Sequence, residues 1–327
     1  VRTDTLTNPA SSRHGDTTAL LELAAGELHL AVSPGIGGAI ARFSRRWDEG
    51  GRAREVHWLR PATAQALARG NPLGMASFPL VPFCNRIRDG RATFEGREIH
   101  FPPNHPAEDS PHPLHGIGWQ RAWTVEAHAP DRLDLALQVD ASPAWPWRFS
   151  ARQVYALRPE GLQVRVALTN EDDASMPAGI GHHPYFPHEP GTRLHAQTQA
   201  MWETDDEVLP TRLAPDAGPV ALLRAGVELS RLHTDNNFTG WSREARIDWP
   251  ADEQGPARSA LIRAEAPLDY FVLYCQRGFA FFCAEPVSQC TDWLNLTGVQ
   301  PPQVLGGHVL APGETVEAGF TLMPQWT

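Results

Sequence analysis

Phe149-Ser150-Ala151-Arg152-Gln153-Val154-Tyr155-Ala156-Leu157, the turn Arg158-Pro159-Glu160-Gly161 and the run Leu162-Gln163-Val164-Arg165-Val166-Ala167-Leu168 form the stretch on which the fold reading rests. After the turn, apolar residues return at every second position: Leu162, Val164, Val166 and Leu168. That is the period of a strand with one buried face. Proline and glycine between the two runs supply turn chemistry. Working outward, Leu133, Leu135, Leu137 and Val139 repeat the pattern before this stretch, and Val316, Ala318, Phe320 and Leu322 repeat it near the end. Leu28, Leu30 and Val32, punctuated by Pro34-Gly35 and Gly37-Gly38, lead into Ala39, Ala41 and Phe43, which reads as a hairpin. One-face burial belongs to antiparallel sheets rather than to doubly buried parallel ones. The expectation is an all-β chain, a large antiparallel β-sandwich forming one domain over 1–327, with 1–17 a loose polar arm.

The composition agrees. Thirty prolines and 27 glycines among 327 residues point to many turns. Helix signal is thin: Pro61 to Ala68 reads as a short helix begun by its proline. The proline-rich stretches 102–113 and 210–219 read as loops, and neither a repeat nor an interdomain linker is evident. With 42% hydrophobic residues the chain can build a sizeable core, and no apolar run is long enough to span a membrane. A net charge of −10 without a basic stripe speaks against nucleic acid as a partner. All 28 basic residues are arginine, which excludes a Schiff-base lysine, a pyridoxal-phosphate attachment and a phosphate-loop lysine. Cys84, Cys275, Cys283 and Cys290 form no CxxC pair and read as free thiols of a reducing compartment. A cytoplasmic monomer or homodimer acting on a small molecule is the expectation.

Gly278-Phe279-Ala280-Phe281-Phe282-Cys283-Ala284-Glu285-Pro286-Val287 is the most apolar run, and it meets a carboxylate followed by proline. Phe279, Phe281 and Phe282 read as a buried strand that Pro286 should end, leaving Glu285 at its mouth. Four further segments set polar residues among aromatics. Phe83-Cys84-Asn85-Arg86-Ile87-Arg88-Asp89-Gly90 reads, by itself, as a surface turn with solvated arginines before it reads as an inward guanidinium offered to ligand oxygens. Pro113-Leu114-His115-Gly116 follows a loop holding His105 and His112, but neither HxH nor HExxH occurs, so no metal site is expected. In Gly179-Ile180-Gly181-His182-His183-Pro184-Tyr185-Phe186 an extended backbone lets only one of the two histidines address a cleft. Thr234-Asp235-Asn236-Asn237-Phe238 reads, by itself, as a turn.

Taken together, these segments resemble the aldose 1-epimerase (galactose mutarotase) family. Asn85-Arg86-Ile87 with Gly90 and Phe94-x-Gly96 is similar to its NRI…G…F…G stretch, and Leu114-His115-Gly116 to its LHG. His183-Pro184-Tyr185-Phe186 resembles its H-x-Y-F, Asp235-Asn236-Asn237-Phe238 its D-x-x-F, and Cys283-Ala284-Glu285-Pro286 its C-x-E-P. The order and spacing of these matches run from about residue 26 to 324, with weaker echoes at Trp145-Pro146-Trp147 and Leu310-Ala311-Pro312-Gly313-Glu314.

The resemblance implies a galactose-mutarotase-like supersandwich that interconverts the α and β anomers of a free aldose without cofactor or metal. It implies Glu285 as the base at the C1 hydroxyl and His183 as the acid at the ring oxygen. It also implies His115, Arg86, Asn85 and Asp235 as residues that bind the sugar. A nearby carboxylate should help to keep His183 protonated, Trp119 or Trp293 should stack on a sugar face, and Asp89 should pair with Arg88. A hexose-6-phosphate epimerase, a non-catalytic sugar sensor on the same fold and an inverting glycosidase using Asp235 and Glu285 are the rival readings.

Overall fold

The structure, a computed structural model, describes residues 19–106, 109–251 and 255–326, so the expected arm at 1–17 lies outside the described residues. Two large sheets dominate. The run that opened the reading lies at the heart of a nine-stranded sheet, where Phe149–Arg158 pairs with Gly161–Asn170 through Arg158↔Gly161. The second strand of that hairpin alternates cleanly: Leu162, Val164, Val166 and Leu168 are buried while Gln163, Arg165 and Ala167 are half-buried. On the outer face Arg165 bonds Glu265 and Glu317, each at 2.8 Å. Each apolar side chain moved out of water contributes roughly 1.5–3 kcal/mol, so a one-residue register slip, which would expose the whole row, is strongly disfavoured. Thr315–Trp326, Arg258–Ala264, Glu244–Trp249, Arg193–Ala196 and Val227–Glu228 continue the sheet on one side, and Arg132–Val139 and Thr124–Ala129 on the other.

The opposing sheet carries Pro210–Ala214, Ala200–Thr204, Thr234–Thr239, Tyr270–Cys275, Phe281–Val287, Gly181–His182 and Pro79–Leu80 in spatial order, with Tyr185–Pro187 also paired to Phe281–Val287. Ladders within both sheets are antiparallel. The sheets meet through residues such as His182, whose ring lies 5.7 Å from Phe320 of the nine-stranded sheet. Leu28–Ser33 pairs with Ala39–Glu49 as expected, inside a further four-stranded sheet. All four cysteines are free and buried. Among the described residues no helix is long and apolar enough to cross a membrane.

Four local expectations are corrected. The helix near Pro61 spans Ala64–Arg69 and is started not by proline but by Thr63, whose Oγ1 accepts from Ala66 N at 3.0 Å. The 210–219 stretch is not a loop: Pro210–Ala214 is an edge strand, a place that tolerates proline, and Gly218–Ala225 is a helix with Pro219 in its first turn. Phe279 is not buried but 46% exposed, outside the strand Phe281–Val287.

Pro286, finally, does not end that strand. Ser288 N donates to Ile180 O, so two residues back the donor-less nitrogen of Pro286 faces the same side. On that side the ladder is interrupted between Gly181↔Val287 and Tyr185↔Cys283. The proline therefore sits where no ladder bond is required of it.

Candidate active site

The interruption at Pro286 is also where the polar residues gather. Along Phe281–Val287 the side chains alternate, so Phe281, Cys283 and Glu285 share one face. The register carries two rows across the sheet. Asp235, Tyr274, Cys283 and Tyr185 lie opposite one another in turn. Asn237, Val272 and Glu285 form the next row. Extending the register of Gly181↔Val287 and Tyr185↔Cys283 puts His183 opposite Glu285 in that second row. His183 instead donates its backbone N–H to Phe78 O at 2.9 Å, which leaves its side chain free of the ladder.

A cavity of about 340 Å³ opens above these rows, and Glu285, His183, His115, Asp235, Arg86 and Asn85 all line it. The sheet supplies Glu285, His183 and Asp235, and two crossing loops supply the rest. Asn85 and His115 both have left-handed backbones, with φ of 58° and 59°, and they lock together. His115 N donates to Asn85 O at 2.9 Å, and Asn85 N donates to His115 Nδ1 at 3.1 Å. Burial holds His115 well below the ordinary imidazole range, with the neighbouring His183 next in effect. A neutral imidazole that accepts at Nδ1 carries its proton on Nε2, so His115 is a fixed donor. Gly116 must be glycine: at φ 67° any Cβ would stand 2.2 Å from Val81 O.

His183 Nε2 lies 3.3 Å from Glu285 Oε1, and both residues are buried. Among the described residues Glu285 Oε2 has no hydrogen-bond partner. Burial raises the Glu285 carboxyl well above its ordinary value, with Asp235 adding to the rise and Arg86 opposing it. Burial drives the His183 imidazole down to about 3, and the Arg60 guanidinium also pushes it that way. The direction of this shift, set by loss of hydration, is opposite to the expectation that a neighbouring carboxylate keeps His183 charged.

Other expectations also shift. Trp119 and Trp293 do not face the cavity; Trp119 is fully buried, its Nε1 donating to Leu114 O and Gly116 O at 3.1 Å, and it braces the loop from behind. The aromatic walls are Tyr185, Tyr274 and Phe281. Asp235 belongs to the strand Thr234–Thr239 rather than to a turn. Arg88 pairs with Asp205 and Asp292, each at 3.5 Å, and not with Asp89. Asp89 instead donates its backbone N–H to His112 Nδ1 at 2.9 Å.

Sequence reasoning missed Arg60, which stacks 3.9 Å over Tyr185 and donates to Met75 O at 2.6 Å and Leu73 O at 3.1 Å. Nothing local marks Arg60-Pro61; only the long-range fold brings it in. His183, Cys283 and Glu285 offer donor atoms within 4.8 Å of one another, a set that could hold a metal ion. Burial raises both the Cys283 thiol and the Glu285 carboxyl well above their ordinary values, which opposes metal binding, since ligands must shed their protons.

Comparison with known proteins follows the same outline. The profile of the aldose 1-epimerase family matches residues 19–322. The uncharacterised protein YphB of Escherichia coli (strain K12) is 33% identical over 291 residues, covering 85% of this chain and 94% of its own. A solved Escherichia coli K12 structure superposes with a TM-score of 0.80 at 28% identity, covering 94% of this chain and 99% of the other. A galactose mutarotase-like protein from Clostridium acetobutylicum shares the fold, with a TM-score of 0.77 at 18% identity and coverage of 94% and 95%. With the profile spanning both large sheets and every loop of the cavity, the chain belongs to the aldose 1-epimerase family.

Proposed function

We propose that the chain interconverts the α and β anomers of a free aldose, with Glu285 and His183 as the proton-transfer pair. The observation that carries this reading is the 3.3 Å approach of His183 Nε2 to Glu285 Oε1 in one cavity. Anomer exchange takes a proton from the C1 hydroxyl and gives one to the ring oxygen. Both oxygens are bonded to C1, so acid and base must converge on one small region.

Protonation fits a cycle. The neutral pair (carboxyl protonated, imidazole not) and the ion pair hold the same one proton and differ only in where it sits. A bound sugar presents its C1 hydroxyl to the carboxylate and its ring oxygen to the imidazolium, which favours the ion pair. During ring opening the C1 hydroxyl proton moves to Glu285 and the His183 proton to the ring oxygen. The pair is then neutral, the form that burial favours while the sugar is an open aldehyde. C1 turns about its bond to C2. Closure on the other carbonyl face reverses both transfers and restores the pair. The His115 Nε2 donor is suited to hold a sugar oxygen, and Arg86 and Asp235 to orient hydroxyls.

A free aldose is favoured over a sugar phosphate because the Arg88 guanidinium is already engaged by Asp205 and Asp292, leaving Arg86 without a second convergent cation from its own loop. Polarimetry on freshly dissolved α-glucose, α-galactose and α-glucose 6-phosphate tests the reading. Faster equilibration of the free sugars is expected. No acceleration would reduce the chain to a binder, and a preference for the phosphate would overturn the substrate assignment.

A further inference from the structure

His115 stands in the cavity on a backbone that resists it. Its φ of 59° is followed by 67° at Gly116, so two successive residues are left-handed, a conformation costly for any residue with a Cβ. Such strain persists only where the surroundings over-determine it. Asn104 does so from outside the cavity. Its Nδ2 donates to Leu114 O at 2.9 Å and to Gly116 O at 2.8 Å, and its Oδ1 accepts from Leu114 N at 2.6 Å. The amide thus commits both donor hydrogens and its oxygen to the two residues flanking His115. Trp119 Nε1 reaches the same two carbonyls, each at 3.1 Å, but has one hydrogen to share between them. Asn104 has one for each.

The hold is firm at its other end as well. Asn104 lies between Pro103 and His105-Pro106, where the proline rings fix φ and disfavour a helical His105. Its own carbonyl accepts from Gln120 Nε2 at 2.7 Å. Asn104 does not line the cavity that holds His115 and Glu285. It lines a second cavity of about 320 Å³ together with Pro113, Gly116 and Ile117. The 113–117 turn is therefore a wall between the two, with His115 on one side and the Asn104 amide on the other.

We propose that Asn104 is the positioning residue of His115: its amide holds the turn so that the His115 Nε2 donor meets a sugar oxygen, and turnover depends on Asn104 although Asn104 touches no sugar. This rests on the anomer-exchange reading above and adds a residue to the same site.

The test compares Asn104→Asp with the wild type, each also in a His115→Ala background, by kcat/KM for galactose and by the His115 imidazole signals in ¹H–¹⁵N NMR. Aspartate has the same size and keeps an acceptor for Leu114 N, but brings no hydrogen to Leu114 O or Gly116 O. With His115 present, kcat/KM should fall about tenfold or more, since misplacing a contact by about 1 Å can cost about 10²-fold. The His115→Ala background keeps the Glu285–His183 pair and so retains measurable exchange. There the same change should cost less than about twofold, because a positioning residue acts only through the group it positions. The His115 imidazole signals should shift or broaden in Asn104→Asp. Equal losses in both backgrounds would make Asn104 merely structural and overturn the proposal, as would an unchanged kcat/KM or unchanged imidazole signals. A wild type that accelerates exchange of no sugar would overturn the anomer-exchange reading instead, and the imidazole signals would then decide by themselves whether Asn104 holds His115.

Discussion

His182 and His183 are neighbours in sequence, both buried, and burial lowers both imidazoles to about 3. They face opposite ways. His182 points into the interface between the sheets, where its Nδ1 meets Ser77 Oγ at 2.5 Å and its Nε2 lies 3.4 Å from Gln153 Oε1. Behind them Tyr155 OH donates to Gly38 O and Gln153 Oε1, each at 2.7 Å. Both ring nitrogens of His182 are thus engaged by protein groups. His183 faces Glu285 and an open cavity, next to a carboxylate oxygen that has no hydrogen-bond partner among the described residues. Equal burial and equal titration therefore say nothing of role; what separates the two histidines is whether hydrogen-bonding capacity is left over for a ligand.

The sharpest way to break this contrast is to remove the proton acceptor. Glu285→Gln keeps size and polarity but cannot take the C1 proton, so turnover should fall about 10²- to 10⁴-fold with sugar binding retained. His183→Asn should cost a similar factor. A residual rate within threefold of wild type in either variant would remove that residue from the chemistry.

His182→Asn should do the reverse. Turnover should stay within about threefold, while thermal unfolding should show a loss of about 1–3 kcal/mol as Ser77 and Gln153 lose their partner. If His182→Asn silences the enzyme and His183→Asn does not, the assignment of faces is wrong.

A pH series sharpens the comparison further. On the proposed cycle the pair works with one proton, so rate should fall on the acid side when His183 takes up a second, and on the alkaline side when Glu285 gives up the only one. With His183 lowered to about 3 and Glu285 raised above its ordinary 4.5, the bell should be broad, with an acid edge below the usual imidazole range. His183→Asn should abolish the acid limb, whereas His182→Asn should leave it. A profile that rises steadily with pH would contradict a one-proton pair.

The smallest effect concerns stability. A carboxyl raised in the folded state binds its proton more tightly there, so its contribution is whole below 4.5 and is lost as pH rises through the folded value. Glu285→Gln lacks that loss. Its melting temperature should therefore gain on the wild type as pH rises from 4.5 to the folded value and keep that margin above it. A lower melting temperature at alkaline pH would show the carboxylate to be stabilising after all.

Much of this was legible in the sequence because strand periodicity is a local signal. Leu162 to Leu168 declared both the element and its buried face. The cavity residues were legible for a different reason: Asn85, Arg86, His115, His183, Asp235 and Glu285 stand in short motifs whose order resembles a known family. What stayed hidden depended on pairing between distant segments. Pro286 is tolerated within its strand only because the neighbouring ladder stops at His183, which no rule on proline can foresee. Phe279 read as core because its neighbours are apolar, yet it follows Gly278, with φ of 83°, and stands clear of the sheet. Arg60 enters through its cation–π stack on Tyr185, 125 residues away in the chain by the numbering itself. The protonation of the Glu285–His183 pair depends on depth, which a sequence does not state.

The central claim is that Glu285 and His183, and not His182, carry protons between the two oxygens of C1. Exchange NMR between the anomeric protons of α- and β-glucose measures that step directly at equilibrium, with the sugar fixed and the wild type, Glu285→Gln, His183→Asn and His182→Asn compared at one pH. The account predicts fast exchange with the wild type and His182→Asn, and exchange at or near the uncatalysed rate with the other two. Exchange that persists in Glu285→Gln or His183→Asn, or disappears in a folded His182→Asn, would contradict it.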